Sequence, residues 1–102
     1  MSEMKSRKEI ARLANELTQS FEQSTDDKVF LKIVAYGKDA LADRQIAPQI
    51  IMEKMVTASY EAVLRGKGKI KMSAETLAIV KQMEELSRTR SLLPFRRYDP
   101  WD

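Results

Sequence analysis

The chain has 102 residues, with 18 Lys and Arg, 15 Asp and Glu, no His and no Cys. This length makes one domain. Without cysteine there is no disulfide framework and no thiolate zinc site. Without histidine, the commonest general base and the commonest transition-metal ligand are both missing. Hydrophobic residues make up 43% of the chain, which is enough for one core and too many for a disordered chain.

The composition also favours helices. There are only three Gly and three Pro, whereas an all-β fold of this size needs many turns. We therefore expect an all-α protein, a compact bundle of three to four helices over residues 1–93, with a C-terminal tail over 94–102. The charged N-terminus does not resemble a signal peptide, and no apolar stretch approaches the roughly 20 residues of a membrane span. The expected location is cytoplasmic.

The first predicted helix runs from about Glu3 to Gln23. Its apolar residues follow one stripe of a 3.6-residue period: Ile10, Leu13, Ala14, Leu17 and Phe21. The polar residues that follow interrupt the pattern, and Thr25 or Asp26 is the expected cap of the next helix.

The second predicted helix runs from about Asp27 to Asp43. Its sequence VFLKIVAY is rich in β-branched and aromatic residues, which also suit a strand. The helical spacing of Phe30, Val34, Gly37 and Leu41 favours a helix. Gly37 either costs about 1 kcal/mol of helix stability or allows a neighbouring helix to approach closely.

The third predicted helix runs from about Pro48 to Leu64, with Pro48 in the first turn, where its missing N–H costs nothing. Apolar residues cover more than half of its circumference, which is typical of a central helix or an oligomer interface. A homodimer is therefore expected. Met52 and Met55 lie one turn apart and suit either the core, which we favour, or an adaptable partner surface.

A basic segment, RGKGKIKM, follows this helix. Gly66 is placed to end the helix in a left-handed cap. If the segment is extended, Lys67, Lys69 and Lys71 project from one face, because side chains alternate along a strand. Three ammonium groups on one face suit a phosphate backbone. The alternative is a solvated loop that only connects two helices.

The fourth predicted helix runs from about Ala74 to Arg90, with Ser73 as its N-cap and Glu75 in its first turn. Glu84 and Arg88 have the spacing and order of a favourable helical ion pair.

The tail is SLLPFRRYDPWD, and its prolines exclude a continuing helix. Phe95, Tyr98 and Trp101 are unusual in a mobile terminus, so these rings either pack on the protein's own helices or anchor a partner. Arg96 and Arg97 lie among them.

No catalytic or nucleotide-binding motif is present, and we expect no enzyme activity, no cofactor and no metal site. The net charge of +3 comes entirely from the second half of the chain. The leading hypothesis is a non-enzymatic nucleic-acid-binding regulatory or accessory protein. Its candidate phosphate contacts are Arg65, Lys67, Lys69, Lys71, Arg88, Arg90, Arg96 and Arg97. The alternative is an interaction adaptor or anti-activator that docks on a protein through its tail or its third helix, with candidate contacts Phe95, Tyr98, Trp101, Met52 and Met55.

Overall fold

The protein is described by a computed structural model, which covers the backbone of residues 4–91 and the side chains of residues 6–89. Four helices account for most of this range: α1 (Arg7–Ser24), α2 (Lys28–Asp43), α3 (Pro48–Arg65) and α4 (Ala74–Ser87). Two strands of two residues, β1 (Met4–Lys5) and β2 (Arg90–Ser91), form a short parallel pair. The predicted all-α bundle is confirmed.

Three of the helices begin at side-chain caps. Ser6 accepts a hydrogen bond from the Glu9 N–H at 3.1 Å, and Ser73 accepts one from the Thr76 N–H at 3.1 Å. At α2 the cap is Asp27, whose carboxylate accepts from the Val29 N–H at 2.9 Å. The prediction of Thr25 or Asp26 is therefore wrong by one or two residues. The hydroxyl of Thr25 instead accepts from the backbone N–H of Asp27.

The helices alternate in direction along the bundle. The Thr76 hydroxyl contacts the carbonyl of Ser24 at 3.1 Å, which joins the start of α4 to the end of α1. At the opposite end, the Gln49 side-chain amide donates to the Thr89 carbonyl at 3.3 Å. Residues 25–27 and 66–73 therefore lie at one end, which we call the loop end. Residues 44–47 and the two strands lie at the other, the terminal end.

The core is built mainly from aliphatic and methionine side chains, with one aromatic pair. The rings of Phe21 and Phe30 lie 5.8 Å apart and join the end of α1 to the start of α2. The other large, fully buried hydrophobic residues are Ile10, Ile51, Met52, Met55, Met83, Val34 and Val80. Apolar residues at helical spacing on all four helices thus meet in one cluster.

Helix α3 is the central helix, and it packs against α1, α2 and α4. Its broad apolar surface is covered by these neighbours, and Met52 and Met55 are completely buried. The core interpretation of the two methionines is confirmed, and their assignment to a partner surface is wrong. The same packing explains the width of the apolar surface within one chain, so that surface gives no support to a homodimer.

No helix in the described part of the chain has the length and apolar character needed to cross a membrane.

Candidate nucleic-acid interface

The loop between α3 and α4 contains a tight turn. Gly66 continues the right-handed helical conformation, with φ −72° and ψ −12°, and its N–H donates to the Ala62 carbonyl at 3.0 Å. Positive φ values follow at Lys67 (48°) and Gly68 (90°). The Lys69 N–H then closes the turn on the Gly66 carbonyl at 2.8 Å. The prediction of a left-handed cap at Gly66 is therefore wrong, because the reversal occurs one residue later.

Gly66 has a packing role instead. A Cβ atom at this position would lie 2.8 Å from the Cβ of Ile70. Ile70 folds back on the end of α3 and, together with Met72, packs against the hydrophobic core. These two apolar residues fix the second half of the loop to the body of the protein.

The predicted alternation of side chains holds for part of the basic segment. Ile70 and Met72 face the core, while Lys69 and Lys71 are exposed. Lys67 is also exposed, but it lies in the turn. The three lysines therefore do not lie along one extended strand, and they share the loop end of the bundle.

The cations of this loop are largely free of acidic partners. The guanidinium of Arg65, 83% exposed, lies 3.8 Å from the Glu61 carboxylate, which is a long and solvent-screened ion pair. Within the described part of the chain, no carboxylate lies within ion-pair distance of Lys67, Lys69 or Lys71. We call these four residues the basic loop.

Other acidic side chains also lie at the loop end of the bundle. Glu75 lies in the first turn of α4 and is exposed, and Asp26 lies exposed between α1 and α2 at the same end. Asp27 is occupied as the cap of α2. The loop end therefore carries exposed carboxylates as well as the four cations of the basic loop.

The second basic region lies at the other end of the molecule. Arg88 and Arg90 follow α4, whereas the basic loop precedes it, and a helix of 14 residues is about 21 Å long. Arg88 also forms an ion pair with Glu84 at 3.1 Å, as its spacing predicts. Helix α4 ends at Ser87 rather than near Arg90, and Arg90 belongs to β2. The two regions therefore do not form one continuous patch.

The remaining candidates lie outside the residues that the structure describes. They are Arg96 and Arg97 in the proposed nucleic-acid surface, and Phe95, Tyr98 and Trp101 in the proposed partner surface.

The most exposed large hydrophobic residue in the described part of the chain was not among the sequence-based candidates. Leu64 is 77% exposed at the end of α3, next to Arg65. Helical spacing could have predicted this exposure. Leu64 lies nine residues, or about two and a half turns, beyond the buried Met55. Leu64 therefore projects on the side of α3 opposite to the core.

Carboxylates form no evident metal centre in the described residues. Groups of three or more acidic side chains close enough to hold an ion are absent from that part of the chain. Glu84 is paired with Arg88, and Glu85 is exposed on the surface of α4.

The chain matches no protein-family model, no curated protein and no solved structure.

Proposed function

We propose that the protein is a non-enzymatic nucleic-acid-binding regulatory or accessory protein, and that the basic loop contacts the phosphate backbone. The observation that carries the proposal is the charge arrangement at the loop end. Arg65, Lys67, Lys69 and Lys71 fall within seven residues and are exposed. The three lysines have no carboxylate partner among the described residues.

The loop suits this role because its backbone is held while its charges remain in water. Ile70 and Met72 are packed against the core, and Ser73 caps the helix that follows. Ordering the loop on binding therefore costs little entropy, although the lysine side chains must still be ordered. Ammonium groups on such a support give contacts that position a protein on a backbone without reading its sequence.

The separation of the two basic regions narrows the proposal to the basic loop. Arg88 is paired with Glu84 and lies about one helix length from Lys71, so it does not extend the same footprint.

The described surface favours this function over docking of a protein through α3. Met52 and Met55 are buried, and the exposed large hydrophobic residues other than Leu64 are at most 39% exposed. A specific protein interface normally has a central cluster of apolar or aromatic anchors. The described part of α3 does not present such a cluster.

The salt dependence of binding tests the proposal. A fluorescently labelled duplex is titrated with the full chain at several salt concentrations, and the affinity is measured by anisotropy. Three to four phosphate contacts predict a slope of about −3 for log K against log salt. Affinity should therefore fall about 60-fold between roughly 50 and 200 mM salt. Absence of binding at the lower concentration both to this duplex and to a single strand of the same length, or a slope near zero, would overturn the proposal.

A further inference from the structure

Leu64 is the most exposed large hydrophobic side chain in the described part of the protein. It is 77% exposed, while the next, Tyr36 on α2, is 39% exposed. Single apolar residues on a surface are common, so exposure alone assigns no role. The position of Leu64 supplies the second observation, because the residue directly precedes the basic loop at the end of α3.

The basic loop adjoins Leu64 in the sequence and is joined to it by a backbone hydrogen bond. Arg65 follows it directly, and the Lys67 N–H donates to the Leu64 carbonyl at 3.4 Å. Leu64 and the nearby ammonium groups therefore project from the same end of α3. When an anionic group binds these cations, the rest of the ligand comes close to the Leu64 side chain, which does not pack in the core.

A fully paired duplex offers this leucine mostly charged phosphate oxygens, whereas unstacked bases offer apolar faces. Apolar side chains contact bases where stacking is interrupted, and single strands expose every base face. We infer that Leu64 packs against unstacked bases, and that the basic loop therefore prefers single-stranded nucleic acid to paired duplex. This inference rests on the proposed function and specifies its ligand class.

An anionic membrane also combines charge with an apolar interior. Binding in the plane of a membrane, however, needs a wide apolar helix face. The two exposed large hydrophobic residues of α3, Ile50 and Leu64, lie near opposite ends of the helix, while Val29, Leu31 and Tyr36 belong to α2. The observations favour the nucleic acid, and lipid binding becomes an outcome of the test.

The test compares Leu64→Ala with wild type on three probes. These are a labelled single strand, a duplex of the same length, and vesicles that contain phosphatidylserine. The matched control is Ile50→Ala, because Ile50 is a partly exposed apolar residue at the other end of α3. Leu64→Ala should keep the helical circular dichroism and the melting temperature of wild type, because the side chain is outside the core.

Wild type should bind the single strand more tightly than the duplex. Leu64→Ala should weaken single-strand binding about fivefold, which corresponds to about 1 kcal/mol, and leave duplex binding nearly unchanged. Ile50→Ala should match wild type on both nucleic acids. Equal affinity of wild type and Leu64→Ala for the single strand, or vesicle binding that depends on Leu64 more strongly, would overturn the inference.

The same data separate this inference from the proposed function. Wild type that shows no salt-dependent binding to either nucleic acid overturns both. Salt-dependent binding by wild type, combined with no effect of Leu64→Ala, overturns the role of Leu64 and leaves the phosphate-binding loop intact.

Discussion

The contact between Gly37 and Met55 determines how closely α2 approaches the central helix. The Met55 side chain occupies the place of a Cβ atom at residue 37, and such an atom would lie 2.8 Å from the Met55 Cε. Both residues are buried. The sequence allowed a cost or a close approach at this glycine, and the packing shows the close approach.

Substituting Gly37 with alanine tests this contact. Alanine improves helix propensity by about 1 kcal/mol, but overpacking a core typically costs about 1–3 kcal/mol. Met55 is completely buried, so its thioether can move away only within the core, where its neighbours must adjust. Gly37→Ala should therefore lower the free energy of unfolding by about 1 kcal/mol, measured by urea denaturation. A gain of stability would show that α2 and α3 are not in close contact here.

At the scale of elements, the hydroxyl of the buried Thr76 and its serine partners join α1 to α4. Thr76 is buried, and its hydroxyl lies 3.1 Å from the Ser24 carbonyl, 2.9 Å from the Ser24 hydroxyl and 3.0 Å from the Ser73 hydroxyl. These bonds hold the start of α4, which follows the basic loop directly, to the end of α1. The position of the loop relative to the bundle therefore depends in part on Thr76.

Thr76→Val should destabilise the protein by about 1 kcal/mol, because valine has a similar shape but cannot make the hydrogen bonds that join Thr76 to the partly buried Ser24. Thr57→Val is the matched control, since Thr57 is exposed on α3 and its loss should change stability by less than about 0.5 kcal/mol. Chemical denaturation of both variants gives the comparison. Equal stabilities would mean that the hydroxyl cluster does not hold the two helices together.

The helices were predictable from the sequence because their signals are local. The apolar stripe of α1, Pro48 at the start of α3 and the Ser73 cap of α4 all depend on residues within a few positions of each other. The pairing of Met4–Lys5 with Arg90–Ser91 was not predictable in this way, since it joins segments from opposite ends of the described chain. It also explains why α1 and α4 are shorter than predicted.

In the candidate site, too, the features that depend on neighbouring residues were predictable and those that depend on the fold were not. Alternation correctly predicted that Lys69 and Lys71 share one face, because it is a property of adjacent residues, and the structure shows Ile70 between them packed against the core. It did not reveal the turn at Lys67, whose left-handed φ of 48° is unusual for a residue with a side chain. The distance between the basic loop and Arg88 could not be read from local sequence either, because it is set by the length of α4, which separates them.

At the scale of the whole molecule, the important property is where the charge lies rather than its sum. The formal net charge is only +3, and the first half of the chain is neutral. Among the described side chains, the bundle places Arg65, Lys67, Lys69 and Lys71 at the loop end and Arg88 toward the terminal end. A non-specific electrostatic attraction would depend on the total charge, whereas the proposed contact depends on the loop end alone.

The fold also changes the expectation for the oligomeric state. The apolar breadth of α3 suggested that a second copy would be needed to cover it. Within one chain, α1, α2 and α4 already surround this helix. The core is therefore complete without a partner, and the argument for a homodimer from helix breadth no longer holds.

The most direct test of the central claim compares two triple variants with the same net charge. The loop variant changes three lysines of the basic loop: Lys67→Glu, Lys69→Glu and Lys71→Glu. The helix variant changes one exposed lysine on each of α2, α3 and α4: Lys32→Glu, Lys54→Glu and Lys81→Glu. Each set takes the formal charge from +3 to −3. We predict that the loop variant loses binding to a labelled nucleic acid at low salt, while the helix variant keeps most of it and both remain folded. Equal losses in the two variants, or unchanged binding in the loop variant, would contradict the account.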